Sequence, residues 1–370
     1  MDQTEILDWL RETNEERLGE LYQLADEVRR RNVGDAVHLR GLIEFSNHCV
    51  RQCAYCGLRA GNRKLRRYRM TADEMLECAH RAVAFGYGTV VLQSGEDPGI
   101  ETEWMAQVIR RIKAETPLAV TLSLGERGEE DFQVWRRAGA DRYLLRFETS
   151  NRALYERIHP SLPGKQSDRF ALLRGLRELG YEAGSGVMIG IPGQTYEDLA
   201  RDIERFSRLD LDMIGVGPYL PHPGTPLGQE EARLRAPDGE QAPHTGTMGY
   251  KVVALTRIVC PKTNIPSTTA LATLNQDEGR ELGLLRGGNV VMPNVTPPAY
   301  RALYEIYPAK ACLDESRDFH AEIHRRIHAI GRTVSGGRGD SPNWRRRHSE
   351  SLMCSVRRTT DNIPIVNGES

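Results

Sequence analysis

The stretch His38–Cys56, HLRGLIEFSNHCVRQCAYC, decides how the chain is read. Its first half is a short, largely apolar run that ends in Ser46 and Asn47, the pattern of a buried strand over His38–Ser46 running into a loop. Its second half places Cys49, Cys53 and Cys56 in a C-x3-C-x2-C spacing with Tyr55 before the last thiol. The chain has seven cysteines, an odd number, and three of them fall within these eight residues. A secreted disulfide framework is usually short and evenly paired, so a reducing compartment and metal ligation are the better reading. Cys78, Cys260, Cys312 and Cys354 are scattered and read as small buried hydrophobes or bystanders.

Working outward, short β-rich runs alternate with helical patterns. A helix is expected over 4–31, then Thr71–Phe85 with Glu74 completing a capping box. Strands are expected at Thr89–Gln93, Leu118–Leu122, Arg142–Arg146, Ser185–Ile189, Met213–Val216, Ile265–Thr268 and Val290–Met292. Helices fall between them at Trp104–Ala114, Glu129–Ala138, Arg169–Leu179, Tyr196–Arg208 and Gly249–Ile258. Eight β/α alternations predict an α/β fold, a TIM-type (β/α)8 barrel over 36–332 with an N-terminal helical extension over 1–35. The segment 333–370 is rich in Gly, Arg and Ser without apolar periodicity and is expected to be a disordered tail, with Trp344–Arg347 either solvated or a docking patch. In such barrels chemistry gathers where strands end. The cysteine loop, the Ser94–Asp97 turn, Glu148 and the Gly190–Gln194 loop all lie there.

Hydrophobic residues make up 39% of the 370 and charged residues 27%, the balance of a soluble globular protein. The net charge of −1 gives no whole-molecule field for nucleic acid or membrane. No apolar run approaches a membrane helix, and the acidic, amphipathic start is unlike a signal peptide, so a cytoplasmic protein is expected.

Three thiolates on one loop can converge on a cubane and leave its fourth iron open to an outside ligand, whereas electron-transfer clusters close every iron with cysteine. The competing reading is a zinc site with His48 as fourth ligand, although His48 abuts Cys49 awkwardly. The spacing, with its aromatic residue before the third cysteine, resembles the radical S-adenosylmethionine (SAM) superfamily. That resemblance implies one 4Fe–4S cluster on Cys49, Cys53 and Cys56, and SAM bound at the open iron. From about Leu24 to Arg338 the chain is similar to the HydE family of [FeFe]-hydrogenase maturases. The likeness rests on LADEVRRRNVGDAVHLRGLIEFSN, VVLQSGEDP, TLSLGE, AGADRYLLRFETS, IGIPGQT, GVGPYLPHPGTPL and MPNVTPPAYRALYEIYP. Biotin synthase and methylornithine synthase share the architecture.

The resemblance assigns the SAM amino group to the backbone of Ser94, Gly95 and Glu96, the ribose to Glu148, the SAM carboxylate to Arg169 and the adenine side to Ile191. Read alone, Glu148 and Arg169 form a structural ion pair as readily. Thr268, Thr269, Tyr304 and Tyr307 are implied to line a substrate cavity, with Met292, Pro293 and Asn294 closing it. The substrate implied is a small, cysteine-bearing iron carbonyl–cyanide species supplied by HydG, with the scaffold HydF receiving the product. Some relatives carry an auxiliary cluster on a C-x7-C-x2-C run. Here only Cys312 remains, with His320 and Ile323 at the other places, so no second cluster is expected. Arg59, Arg63, Lys64, Arg66, Arg67 and Arg69 crowd the segment after the cysteines, either as a docking face for ferredoxin or flavodoxin or as braces of a solvated loop.

Overall fold

The computed structural model describes residues 1–310 and 317–349. The strand expected at His38–Ser46 begins two residues earlier, as β1 (Ala36–Ser46), and is buried over nearly all its length. Two helices precede it, α1 (Gln3–Arg11) and α2 (Glu15–Val33). The single helix expected over 4–31 is therefore broken. Asn14 caps α2 by accepting from the Arg17 amide, and Lys251 Nζ takes the free carbonyls of Leu10 and Glu12 at the end of α1.

The alternation then proceeds through α3 (Ala72–Ala84), β2 (Thr89–Ser94), α4 (Thr102–Glu115), β3 (Ala119–Ser123), α5 (Glu129–Ala138) and β4 (Arg142–Leu144). It continues with α6 (Arg152–Ile158), α7 (Arg169–Glu178), β5 (Glu182–Ile189), α8 (Tyr196–Leu209) and β6 (Met213–Pro218). Short helices α9 (Pro226–Gln229) and α10 (Glu231–Leu234) lead to α11 (Gly246–Val259), α12 (Thr269–Leu274) and α13 (Gly279–Leu285). Last come β7 (Val290–Val291), α14 (Pro298–Arg301), α15 (Arg317–Ala329) and β8 (Thr333–Ser335).

All strand pairs are parallel, in the order β6-β5-β4-β3-β2-β1-β7. Between β6 and β7 the ladder thins to single bridges, Met213 with Asn264 and Pro266 with Val290. The strand expected at Ile265–Thr268 is this bridge segment, which keeps the eighth place in a curled TIM-type sheet. Helices pack outside, their apolar stripes against the strands: Leu199, Ile203 and Phe206 of α8 are all fully buried. No helix among the described residues is long and apolar enough to cross a membrane.

The expectation of a tail without structure from 333 is corrected for residues 333–349. β8 pairs with Ala36–His38 of β1, and a helix covers 342–349. Between them Arg338–Ser341 runs under the barrel. The Gly339 carbonyl accepts from Arg40 Nη2 (3.1 Å) and Asn264 Nδ2 (3.0 Å), and the Ser341 amide donates to Glu182 (3.0 Å). Gly339 has φ +65°, and a Cβ there would meet the His38 ring at 2.8 Å. Anchors of this kind are polar and backbone-based, so they leave no hydrophobic pattern to read. Arg347 of the Trp344–Arg347 run is likewise braced, on Asp210 and Asp212. Residues 350–370, with Cys354, lie outside the described residues, as does Cys312.

Candidate active site

The cysteine loop leaves β1 at the C-terminal mouth of the barrel and is held by backbone bonds to three neighbours. The Val50 amide donates to Glu96 (2.9 Å), Ala54 to Ile158 (2.8 Å) and Gly57 to Ile306 (2.9 Å). Arg67 folds back into the loop and donates to the carbonyls of Leu58 and Arg59 (both 2.8 Å) and of Asn47. Gly95 allows the turn after β2 to lie directly on this loop, since a Cβ there would meet the His48 carbonyl at 2.3 Å and Cys49 Cβ at 2.7 Å.

Burial raises all three thiols, Cys56 to about 12, and neighbouring thiols add to the effect at Cys53. Buried Cys78 and Cys260 are raised in the same way, Cys260 also to about 12, so it is the grouping of three thiols on one loop that points to a metal-bearing group. Sulfur ligands of one tetrahedral zinc lie roughly 3.8 Å apart, from bonds of about 2.3 Å. The three sulfurs are not gathered within 4.8 Å of one another, and the described residues that meet this spacing are Glu96, Glu126 and His159. That second group holds two guanidiniums, Arg51 and Arg169, which leaves it no room as a cation site. The wider spread of the thiols fits a cluster better than a single ion.

Cys49 and Cys56 open onto a cavity of about 320 Å3 inside the barrel. Its wall includes Ser94, Gly95 and Glu148 near the cysteines, and Thr268, Thr269, Met292, Tyr304 and Tyr307 beyond them. Thr268 donates to the Val216 carbonyl (3.1 Å), and the Tyr304 hydroxyl accepts from Gln93 (3.3 Å). Asn294 lies behind the wall, donating to Glu44 (2.9 Å), while the Pro293 carbonyl accepts from Leu42 (2.8 Å).

Glu148 follows β4 with φ +61°, a strained setting for a residue with a Cβ. The kink is held by β5, through Glu148 N to Gly186 O and Met188 N to Glu148 O, both 3.1 Å. Its Oε2 lies 3.1 Å from Arg146 Nη2 but is buried without an aligned hydrogen-bond donor. Tyr55 reaches Oε1 at 3.5 Å. A buried carboxylate oxygen lacking a donor, beside the cysteine loop, suits a ligand hydroxyl.

Arg169 does not pair with Glu148. Its Nε meets Glu126 (2.9 Å), its Nη2 meets Glu96 (3.3 Å) and His159 (2.6 Å), and its Nη1 donates to the Arg146 carbonyl. With four of five donors engaged, a bidentate grip on a carboxylate would require this network to open. Arg169, Glu96, Cys53 and Ile191 stand outside the cavity wall; Ile191 is fully buried in a small cluster with Met188, Tyr219 and Leu227 that packs on Tyr55. Several residues were not singled out in the sequence: Arg51 and Glu126, Arg146 on the cavity wall, and the buried pair Glu44–Lys310 beside Tyr304. Glu44 carried a signal, an acid within the apolar run that follows Arg40 on β1.

A family model of the radical SAM superfamily matches residues 43–206. The [FeFe] hydrogenase maturase subunit HydE of Thermotoga maritima is 49% identical over 295 residues, 80% of either chain. The chain belongs to the HydE family. It is a radical SAM enzyme, and that superfamily implies a 4Fe–4S cluster and SAM. More distant members of the HydE neighbourhood share the architecture. A 3-methylornithine synthase of Methanosarcina acetivorans is 29% identical over 282 residues, 75% of either chain. The crystal structure of a methylornithine synthase aligns with a TM-score of 0.76 at 26% identity, covering 90% of this chain and 94% of that one.

His320 and Ile323, at two of the positions an auxiliary cluster would use, are buried on α15. The His320 ring stacks on Phe85 (4.1 Å between centroids) and bonds the Tyr87 hydroxyl (2.6 Å).

Proposed function

We propose that this enzyme cleaves SAM at one cluster held by Cys49, Cys53 and Cys56, and that it matures the active site of an [FeFe]-hydrogenase. When bound, the cluster supplies the electron that breaks the SAM sulfonium into methionine and a deoxyadenosyl radical. The chain's own residues do the rest. The backbone of Ser94, Gly95 and Glu96 offers carbonyl acceptors to the SAM amino group, and Glu148 takes the ribose hydroxyls. Arg169 presents positive charge toward the SAM carboxylate through its remaining donor, and Ile191 braces the adenine side through its cluster. Thr268, Thr269, Tyr304 and Tyr307 line the part of the cavity that takes substrate, a cysteine-bearing iron carbonyl–cyanide species made by HydG. The product passes to HydF, in the cytoplasm, and a ferredoxin or flavodoxin supplies the electron.

The observation that carries this reading is the thiol loop opening onto the barrel cavity in a chain 49% identical to a HydE. The likeness to methylornithine synthase keeps one rival in play, a radical enzyme with a small organic substrate. The two separate in a lysate that contains HydF, HydG and unmatured hydrogenase. Activity should appear only with the intact chain, and SAM cleavage should accelerate when the HydG product is added. Full hydrogenase activity without this chain, or with its Cys53→Ala variant, would reject the assignment.

A further inference from the structure

Beneath the cysteine loop, four charged side chains close into a ring. Arg51 lies between Cys49 and Cys53, and its Nε bonds Glu96 Oε2 while its Nη2 sits 2.9 Å from Glu126 Oε2. From the other side Arg169 Nε meets Glu126 Oε1 at 2.9 Å and its Nη2 meets Glu96 Oε1 at 3.3 Å. Each carboxylate gives one oxygen to each guanidinium. All four side chains are screened from water, with exposures of 0% for Arg51, 1% for Glu126, 8% for Arg169 and 11% for Glu96. The ring is neutral; at its outer edge Ser167 donates to Glu126 (2.5 Å) and His159 bonds Arg169, while Arg51 Nη2 meets Glu126 as an ion pair without an aligned hydrogen bond and Arg51 Nη1 is buried with no hydrogen-bond partner among the described residues.

Its members come from four separate pieces of chain: the thiol loop, the turn after β2, the loop between β3 and α5, and the first residue of α7. A fold brace needs only one such pair. A closed ring instead fixes the relative register of all four segments, because moving one guanidinium misaligns two carboxylates at once.

We propose that Arg51 is a positioning residue that locks the loop carrying the three thiols in register with the turn and helix start that receive SAM. The inference rests on the roles given above to the cysteine loop and to Ser94–Glu96. Lysine cannot replace arginine here. A single ammonium keeps the charge but lacks the planar fork that spans two carboxylates.

The test uses the reconstituted full chain under anaerobic conditions. Arg51→Lys, Arg51→Gln and the charge-balanced pair Arg51→Met with Glu126→Gln are compared for iron content, SAM dissociation constant and the spectral change of the reduced cluster on adding SAM. The Lys and double variants retain net neutrality of the site, so they carry the test if Arg51→Gln fails to fold. Wild-type iron content with SAM affinity weakened on the order of tenfold, and a diminished SAM-induced spectral change, is the expected result. Wild-type affinity and spectra in the Lys and double variants would overturn the proposal and leave the ring a brace. Loss of iron in both of those variants would also overturn it, by making Arg51 a requirement for cluster retention rather than for register. Failure of the wild-type chain to bind SAM at all would instead strike the functional reading.

Discussion

The two ends of the barrel both bury arginine against carboxylates, yet they do so to opposite effect. At the mouth, Arg51, Glu96, Arg169 and Glu126 are matched two against two. Burial opposes ionisation of Glu126, but Arg169, Ser167 and Arg51 outweigh it and hold the group down at about 2. At the floor, Arg142 pairs with Glu182 (3.0 Å) and Asp340, whereas Arg40 beside it finds, among the described residues, Met213 and a backbone carbonyl as hydrogen-bond partners. There burial wins: it raises Glu182 despite Arg142 and lowers Arg40 to about 9. Near the cavity wall each carboxylate is shared by both guanidiniums, and this interlocking fixes geometry. At the floor both carboxylates pair with Arg142 rather than Arg40, and the network is a plug held as much by main-chain carbonyls as by ion pairs.

The comparison breaks most visibly at the cysteines. Cys53→Ala is expected to abolish the cluster and reduce SAM cleavage to background, while far-ultraviolet circular dichroism shows the barrel intact; iron analysis of the wild type should give about four irons per chain, one cubane. Retained cluster and cleavage in that variant would remove the metal assignment. Next in size is the floor. Arg142→Ala leaves Glu182 without its guanidinium and should cost about 3–5 kcal/mol in denaturant unfolding, with SAM affinity of the folded protein unchanged. A floor variant that instead weakens SAM binding would erase the distinction between the two ends.

Glu148→Gln belongs to the mouth. Loss of the charge-assisted bonds proposed to the ribose should weaken SAM binding by roughly 1.5–3 kcal/mol, about tenfold to a hundredfold, with iron content unaltered. Equal affinities measured anaerobically would make the strained Glu148 structural. Acid sharpens the contrast further. The folded value of Glu126, about 2, lies below an unfolded carboxylate's roughly 4.3. Its contribution to stability is therefore complete above about pH 4.3 and is lost as the pH falls toward 2. Melting temperatures of the full chain without added iron should fall over that window, and less steeply in Glu126→Gln. The smallest effect is expected at the exposed Arg63, Lys64 and Arg66, where neutralisation should flatten the salt dependence of reduction by an acidic protein donor, since such charges are screened within about 8 Å at physiological ionic strength. Arg67 is excluded from that set because its guanidinium braces the cysteine loop, and Arg69 because it forks onto Asp97 at 2.7 and 2.8 Å. A rate unmoved by salt would count against docking there.

Much of the mouth was legible because its signals are local. Thiol spacing, the glycine turn after β2 and the end of each strand are read within a few residues, and α5 begins and ends where its pattern and Gly139 indicate. Ring partners were not legible. Arg51 and Glu126 are 75 positions apart, and nothing in either neighbourhood says that they meet. The barrel's weakest strand places were also blurred, since 264–266 and Val290–Val291 are too short to carry a period. The floor was misread for a different reason: a Gly-rich, charged segment gives the same composition whether water or a barrel end satisfies its polar groups.

β8 lies beside the first strand although 297 positions separate Ala36 from Thr333, and Arg338–Ser341 reaches the floor only after that pairing is possible. During synthesis at about 5–20 residues per second, the mouth elements through α7 are complete well before the segment that seals the underside leaves the ribosome. For some seconds after that the nascent sheet carries its thiol loop and the four ring segments but lacks both the far cavity wall, which runs to Lys310, and the base. Long-range closure of this kind is slow by nature, so the emergence of Arg338–Ser341 sets when the interior is closed to solvent at that end.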